Sequence, residues 1–389
     1  MGKKRVKVLN IVLDEKFIDD TIERHEIFQE RMSCDYIFID NKFQQFKYIK
    51  KYPERVKVIP DSEFLSYLKG NFYDAIFLHS LGVLKPQLIV SIPKSIKVFW
   101  FAWGYDIYTI PKDPFIKVDL YGTETKKVKK TIEEKNVNWK IKLKSFIKEI
   151  TFYNNYYTRQ YYKAISRIDY FSGILDYEFY LMQNIPAFRA KKVNYRYCRI
   201  KSDSTTDSNL FKGKNILIGN SADYSNNHLD ILKYFKNINL GDSTVFVPLS
   251  YSGNREYVDC VKSKYSSAFG ENFVPLENFM SYQEYYEILN SCSVMIFAHE
   301  RQQAMGNIYT ALKMGCKVYL SETNKVFSYY KNLGVTVFSI QKDLNQENIN
   351  KPLTDEQIMN NKKILSQIVS RETYFKQINH IIDCISAED

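Results

Sequence analysis

No Cys-x-x-Cys pair occurs in this sequence, and its six cysteines (Cys34, Cys198, Cys260, Cys292, Cys316 and Cys384) and five histidines lie scattered along it. A structural zinc of familiar ligand spacing is therefore not expected, and the cysteines read as the reduced thiols of a cytosolic protein. Long apolar runs are also missing: nothing reaches the roughly 18 to 20 residues of a membrane-spanning helix. The start, with Lys3, Lys4 and Arg5 before a strand-like Val6 to Leu13, carries no small-residue cleavage site, so no signal peptide is expected. Helix-turn-helix, zinc-finger and RNA-recognition signatures are absent too, which argues against a nucleic-acid partner.

What is there is a chain of 389 residues, 45% hydrophobic and 25% charged, the balance of a folded protein. That length exceeds one ordinary core and predicts two domains of roughly 150 to 200 residues each. The net charge of +11 implies a polyanionic partner, which without nucleic-acid signatures leaves an anionic lipid surface or a phosphorylated substrate. Between Lys126 and Lys148 nine lysines stand against two glutamates, with Trp139, Leu143, Phe146, Ile147 and Ile150 falling among them at helical spacing. This predicts a basic amphipathic helix, which either lies on an anionic membrane or packs Trp139 and Phe146 into its own domain.

Strand-like and helical segments alternate in both halves. Val6 to Leu13, Tyr36 to Ile39, Val56 to Ile59, Ala75 to Leu78, Lys97 to Ala102 and Tyr170 to Ser172 read as strands, with helices over Phe17 to Met32, around Phe64 to Leu68, and from Lys126 to about Ser166. A polar stretch of small residues at 201–210 reads as a linker. Beyond it, strands at Asn215 to Gly219, Thr244 to Leu249, Asn272 to Val274, Val294 to Ala298, Lys317 to Leu320 and Val335 to Phe338 alternate with helices. Those helices are at Asn227 to Tyr234, Arg255 to Ser267, Tyr282 to Asn290 and Ala304 to Met314. Ser281 and Glu284 form a capping box. The expected fold class is α/β, two Rossmann-like doubly wound domains facing across a cleft. Residues 1–200 would form the first domain, 211–353 the second, and 354–389 a helical end.

In open sheets of this kind the chemistry sits beyond the carboxyl ends of the strands. There Phe297-Ala298 runs into the polar turn His299-Glu300-Arg301-Gln302-Gln303 and then into a helix closed by Gly315. The first N–H groups of that helix have no internal partner, so a diphosphate can bind there beside the Arg301 guanidinium, with Gly306 permitting close approach. Asn307 follows in the same turn of helix. The alternative is an ordinary strand-to-helix turn with an exposed arginine. In the turn after Gly219, Asn220, Ser221, Asn226 and Asn227 supply amides and hydroxyls for a phosphate or sugar, or else form an Asx turn with a helix cap. Ser250 and Tyr251, in the turn after the next strand, and Asn307 are also expected on the donor side. Glu300 and Glu322 could accept ribose hydroxyls or bind a donor sugar. In the first half, Asp106 follows Trp103-Gly104-Tyr105, where it could take a proton from a sugar hydroxyl while the rings stack on the sugar, or simply cap a turn. Asp14 and His79 occupy equivalent strand ends.

Taken together, Ile216 to His228, Val247 to Tyr251, Arg301 to Gly306 and Trp103 to Tyr108 resemble the 4-acetamido-4,6-dideoxygalactosyl (Fuc4NAc) transferases, the 4-alpha-L-fucosyltransferases of glycosyltransferase family 56 that act in enterobacterial common antigen synthesis. The resemblance implies a GT-B glycosyltransferase with a nucleotide-sugar donor, dTDP-sugar favoured, on the second domain and a polyprenyl-diphosphate-linked saccharide acceptor on the first. It places Asn220, Ser221, Asn226 and Asn227 in a donor loop, Arg301, Gln302, Gln303 and Gly306 in a diphosphate turn, and Asp106 in a Trp-Gly-x-Asp turn as base. Asp14, His79, Trp103, Gly104 and Tyr105 are expected on the acceptor side. No cofactor and no metal are implied, since the positive helix end replaces a metal, and no Asp-x-Asp pair of the metal-dependent transferases is present. Ile308 stands where a retaining enzyme often has a second glutamate eight positions after Glu300, which favours inversion. The 126–150 segment would then touch the anionic inner leaflet, making the protein cytoplasmic and peripheral on that membrane. An epimerase or a non-catalytic nucleotide-sugar binding protein on the same frame is the rival reading.

Overall fold

The computed structural model describes residues 5–15, 17–108, 116, 118–136, 156–197 and 213–387. The expected linker and the apolar residues from Trp139 to Ile150 lie outside them. The chain forms two compact units. Of the described residues, the first unit takes those up to 116, then 156–197 and 369–387, and the second takes 118–136 and 213–368.

In the first unit a parallel sheet has the order β3-β2-β1-β4-β5-β6-β7. Its strands are β1 (Val6–Val12), β2 (Met32–Ile39), β3 (Val56–Ile59), β4 (Ala75–His79), β5 (Lys97–Phe101), β6 (Tyr170–Ser172) and β7 (Lys191–Lys192). β4 is buried at every position, the pattern of a strand covered on both faces. The expected helix from Phe17 to Met32 stops at Glu26, and Met32 opens β2 instead. The β-branched and aromatic residues of 32–39 prefer the pleated, buried environment beside β1.

The second unit repeats the plan with the order β10-β9-β8-β11-β12-β13. These strands are β8 (Asn215–Ile218), β9 (Val245–Pro248), β10 (Phe273–Leu276), β11 (Cys292–Phe297), β12 (Lys317–Leu320) and β13 (Phe338–Ser339). The expected strand from Val335 shrinks to two residues because Thr336 spends its N–H on the Asn361 side chain rather than on a ladder. The Ser281–Glu284 capping box forms as expected.

The division at the polar stretch is interrupted twice. Residues 118–136 fold with the second unit, where Val128 and Ile132 join its core. The last helix, Arg371–Ser386, joins the first unit, burying Tyr374, Ile378, Ile381, Ile382 and Ile385 beside Val6, Phe77 and Phe99. Five such side chains contribute about 10 kcal/mol of gross burial energy, far more than a short polar linker can oppose, so apolar spacing decides where the helix goes. Among the described residues no helix is long and apolar enough to cross a membrane.

Candidate active site

Both sheets reverse their strand order once, between β1 and β4 and between β8 and β11, and the loops leaving such paired strands converge on a crevice. All four non-glycine residues with a left-handed backbone among the described residues lie in loops that follow strand ends: Ser80 (φ 90°), Asn227 (φ 51°), Ser252 (φ 61°) and Ala304 (φ 56°). Strain of this kind gathers where a fold holds a functional loop against its own preference.

In the second unit, His299 is fully buried. Its Nε2 lies 3.0 Å from Asn220 Oδ1 and 2.9 Å from Asn226 Oδ1. Two amide oxygens require an N–H donor there, which leaves Nδ1 as the unprotonated nitrogen, and burial together with Arg301 holds the ring's pKa well below the usual value. Gln303 closes the network by donating to Asn220 Oδ1 at 3.2 Å and accepting from Ser225 Oγ at 2.7 Å. Ser221 Oγ accepts from Asn226 Nδ2 at 2.9 Å. Gly219 makes this possible at φ 76°, since a Cβ there would come within 2.8 Å of His228 Nε2 and 2.9 Å of Asn226 Oδ1. From the far side Asn324 Nδ2 donates to His299 O at 2.7 Å and Arg301 O at 2.8 Å.

The turn so fixed delivers the Met305–Met314 helix with an open start. Its N-cap, Ala304, has no side chain able to accept, and the first N–H bonded inside the helix is that of Ile308, to Ala304 O at 2.9 Å. Gly306 is exposed, with nothing within 4 Å of where its Cβ would stand. Arg301 donates to Gln302 O at 2.9 Å. An uncapped helix dipole beside a guanidinium is a site for a polyanion.

Asn220, Ser221, Asn226 and Gln303 thus come together around His299, with Arg301, Gln302 and Gly306 on the same turn and helix start, but four expected donor residues turn elsewhere. Asn227 is a strut, its amide group held by Ala298 O, Leu120 O and the Gly122 N–H. Asn307 Nδ2 donates to Tyr285 OH at 3.2 Å. Glu322 pairs with Lys342 at 2.9 Å. Glu300 accepts from the hydroxyls of Ser321 and Thr323, and burial pushes its carboxyl up. Ser250 and Tyr251 lie exposed past β9, tied in by Ala222 N–H donating to Tyr251 O at 2.9 Å. Ser321, Thr323 and Asn324, which follow β12, and the buried ring of His299 join the site without being candidate donor contacts from the sequence.

In the first unit the expected base, Asp106, is a hydrogen-bonded carboxyl whose pKa burial raises. Asp106 is buried, and it accepts from Leu81 N–H (3.0 Å), Trp100 Nε1–H (2.7 Å) and Trp103 N–H (2.9 Å). The carboxylate fastens the β4 turn, with its strained Ser80, to the Trp103-Gly104 turn, where Gly104 takes φ 89° and Tyr105 OH meets Ser80 Oγ at 2.9 Å. Asp106→Asn is therefore expected to cost about 2 kcal/mol of stability, since one amide oxygen cannot serve three donors. It should leave the pH–rate profile in place and reduce turnover by less than tenfold. Loss of a true base would cost about 100-fold or more, and thermal melts with kinetics across pH separate the two.

Asp14 and His79 are likewise structural rather than acceptor contacts. Asp14 accepts the N–H groups of Lys47, Tyr48 and Ile49. His79 is fully buried between Tyr197 OH (2.6 Å) and Asn10 Oδ1 (3.0 Å). The Trp103 ring packs edge-on against Phe17 and Tyr197.

The sequence pattern of the 4-alpha-L-fucosyltransferases, glycosyl transferase group 56, matches residues 130–381. The chain belongs to this family. It is a glycosyltransferase. Similar solved structures include a glycosyltransferase from Rickettsia africae (12% identity, TM-score 0.63, covering 99% of this chain and 100% of that one). Another is HepE of Anabaena in complex with UDP and glucose (11% identity, TM-score 0.61, 98% and 100%). A third is an alpha-glucosyltransferase in complex with UDP and a 13-mer DNA containing an HMU base (10% identity, TM-score 0.53, 98% and 100%). At these identities the likeness is one of fold, and the fold is GT-B. Within this family-56 chain the two parallel sheets are its two Rossmann-like units, and the His299–Gln303 turn lies at the switch point of the second.

Proposed function

We propose that this protein transfers a deoxy-amino or fucose-type sugar from a nucleoside diphosphate sugar, dTDP-linked by preference, to a hydroxyl of a lipid-linked saccharide in bacterial surface polysaccharide synthesis. The observation that carries the reading is the uncapped start of the Met305–Met314 helix beside Arg301. As the sugar–phosphate bond breaks, negative charge builds on the departing diphosphate, and preorganised peptide N–H groups with a guanidinium stabilise it without a divalent ion. The UDP bound by HepE and by the alpha-glucosyltransferase supports a nucleotide donor on this fold. Asp106 serves the reaction by fixing the first unit's turns, and the acceptor's proton goes to another group.

The membrane part of the proposal rests on the acceptor class. In the described part of the basic helix Val128 and Ile132 pack into the second unit's core, while Lys126, Lys127 and Lys130 stay exposed, each in a surface pair with a carboxylate. Liposome sedimentation with and without anionic lipid tests peripheral binding, and equal pelleting would refute it.

Turnover is tested with a panel of UDP-glucose, UDP-N-acetylglucosamine, GDP-fucose and dTDP-4-acetamido-4,6-dideoxygalactose, reading released nucleoside diphosphate with and without a lipid-linked saccharide. The expected result is release that requires the acceptor, favours the dTDP-sugar and persists in EDTA. An epimerase would change the sugar without releasing nucleotide.

A further inference from the structure

Residues 118–122 belong by position to the first half of the chain, yet they fold with the second unit. Asn227 holds them there. Its Nδ2 donates both to Leu120 O at 3.2 Å and to Ala298 O at 2.8 Å, while its Oδ1 accepts the Gly122 N–H at 2.9 Å. Ala298 is the last residue before the His299–Gln303 turn, so a single side-chain amide fastens this crossing segment to the lip of the diphosphate turn. Asp230 then caps the helix that follows, accepting the N–H groups of Glu124 (2.8 Å) and Thr125 (3.1 Å). Gly122 packs so closely on that carboxylate that a Cβ would lie 2.2 Å from Asp230 Cγ. The register of 118–122 is fixed from both ends.

Two side chains of the segment carry sugar-reading chemistry. The Tyr121 ring meets Tyr224 edge-on at 6.4 Å, and the Lys129 ammonium stands 5.3 Å from the Tyr121 centroid and 5.8 Å from that of Tyr224. Tyr224 belongs to the donor loop and packs on Tyr257 at 4.4 Å. Asp119 is exposed and pairs with Lys126, a surface pair weak enough to give way to a ligand. Burial dominates the pKa shifts of Tyr121 and Glu300, and Arg301 and Asp119 respectively add only minor electrostatic contributions to them.

We propose that residues 118–122 form a wall of the donor site in which Asp119 and Tyr121 bind the hexose of the nucleotide sugar. This rests on the reading that the diphosphate lies at Arg301 and the helix start. The Asp119 carboxylate accepts hydrogen bonds from hydroxyl or amide donors on the sugar, and the Tyr121 phenol supplies a further hydrogen bond while its ring covers the sugar's C–H face. The segment therefore selects the sugar, whereas the helix start grips the part common to every donor.

Asp119→Asn and Tyr121→Phe are compared with the wild type, using dTDP and UDP in calorimetry and the fastest nucleotide sugar of the panel in kinetics. The expected result is nucleoside diphosphate affinity within twofold of wild type and kcat/KM for the nucleotide sugar lowered at least tenfold by one or both substitutions. Unchanged kcat/KM in both variants overturns the proposal and leaves the diphosphate reading standing. An equal loss of affinity for the bare nucleotide also overturns it, because the segment would then act only as scaffold. Failure of the wild type to bind either nucleotide overturns the diphosphate reading and this proposal with it. Asp119 is exposed, so its variant should melt within about two degrees of wild type.

Discussion

Replacing Arg301 by glutamine is expected to lower kcat/KM about 100-fold and to weaken nucleoside diphosphate binding by a comparable factor. Arg301 is half-buried and stands three residues before the uncapped Ala304 helix start, where a charged hydrogen bond to phosphate contributes about 2 to 4 kcal/mol. That range converts to roughly 30- to 1,000-fold. Glutamine keeps a donor for the Gln302 carbonyl, which Arg301 now bonds at 2.9 Å, so the turn should survive and the melting temperature should move little. Lysine restores the charge without the planar fork and should recover only part of the loss. Stopped-assay kinetics and calorimetry on the same preparations check this. A variant with wild-type kcat/KM would remove Arg301 from the donor site.

Lowering the pH is expected to unfold both units cooperatively with a midpoint near pH 5, well above the range where salt-bridged carboxylates alone would fail. Burial drives His79 in the first unit and His228 in the second down to about 3, and it lowers His25 and His299 as well. A histidine depressed on folding contributes stability that is complete above its unfolded pKa of about 6.5 and is lost as the pH falls toward its folded value. His79 and His228 each forfeit about 2 kcal/mol by pH 5 and about 5 kcal/mol by pH 3. Against a typical total of about 5 to 15 kcal/mol, protonation of four such rings is decisive. Glu178 acts in the opposite sense. Burial raises its carboxyl to about 7, so the folded state holds that proton and gains stability as the pH falls from 7 toward 4.5, offsetting up to about 3 kcal/mol in the first unit alone. Glu300, likewise raised by burial, acts in the same sense in the second unit. Circular dichroism and tryptophan fluorescence between pH 7.5 and 3 test this, and a native signal intact at pH 4 would contradict it.

The strands that read clearly in the sequence were those with short apolar runs bounded by polar turns. β3 and β12 fall where expected, each a short run of mostly β-branched and aromatic residues between polar turns. Met32 misled: a helix-compatible residue at the end of a periodic run is pulled into β2 by the neighbouring strand, which no local pattern records. The turn proposed to bind the diphosphate was legible since its parts, the apolar strand, Arg301, Gly306 and the closing Gly315, are contiguous. The roles of Asn227 and Asp106 were not. Whether an amide or carboxylate faces a ligand or a backbone N–H depends on what the fold brings opposite, here Gly122 and Leu120 in one case and Leu81 and Trp100 in the other. The crossing segment at 118–122 left no trace in sequence order, because its partners lie more than a hundred positions away.

Amide hydrogen exchange of the protein with and without dTDP or UDP tests the central claim most directly, since it reads the peptide N–H groups themselves. Binding should slow exchange at Met305, Gly306 and Asn307 and should do so equally in the presence of EDTA. Protection confined to other loops, or lost reversibly when a chelator is added, would contradict the account.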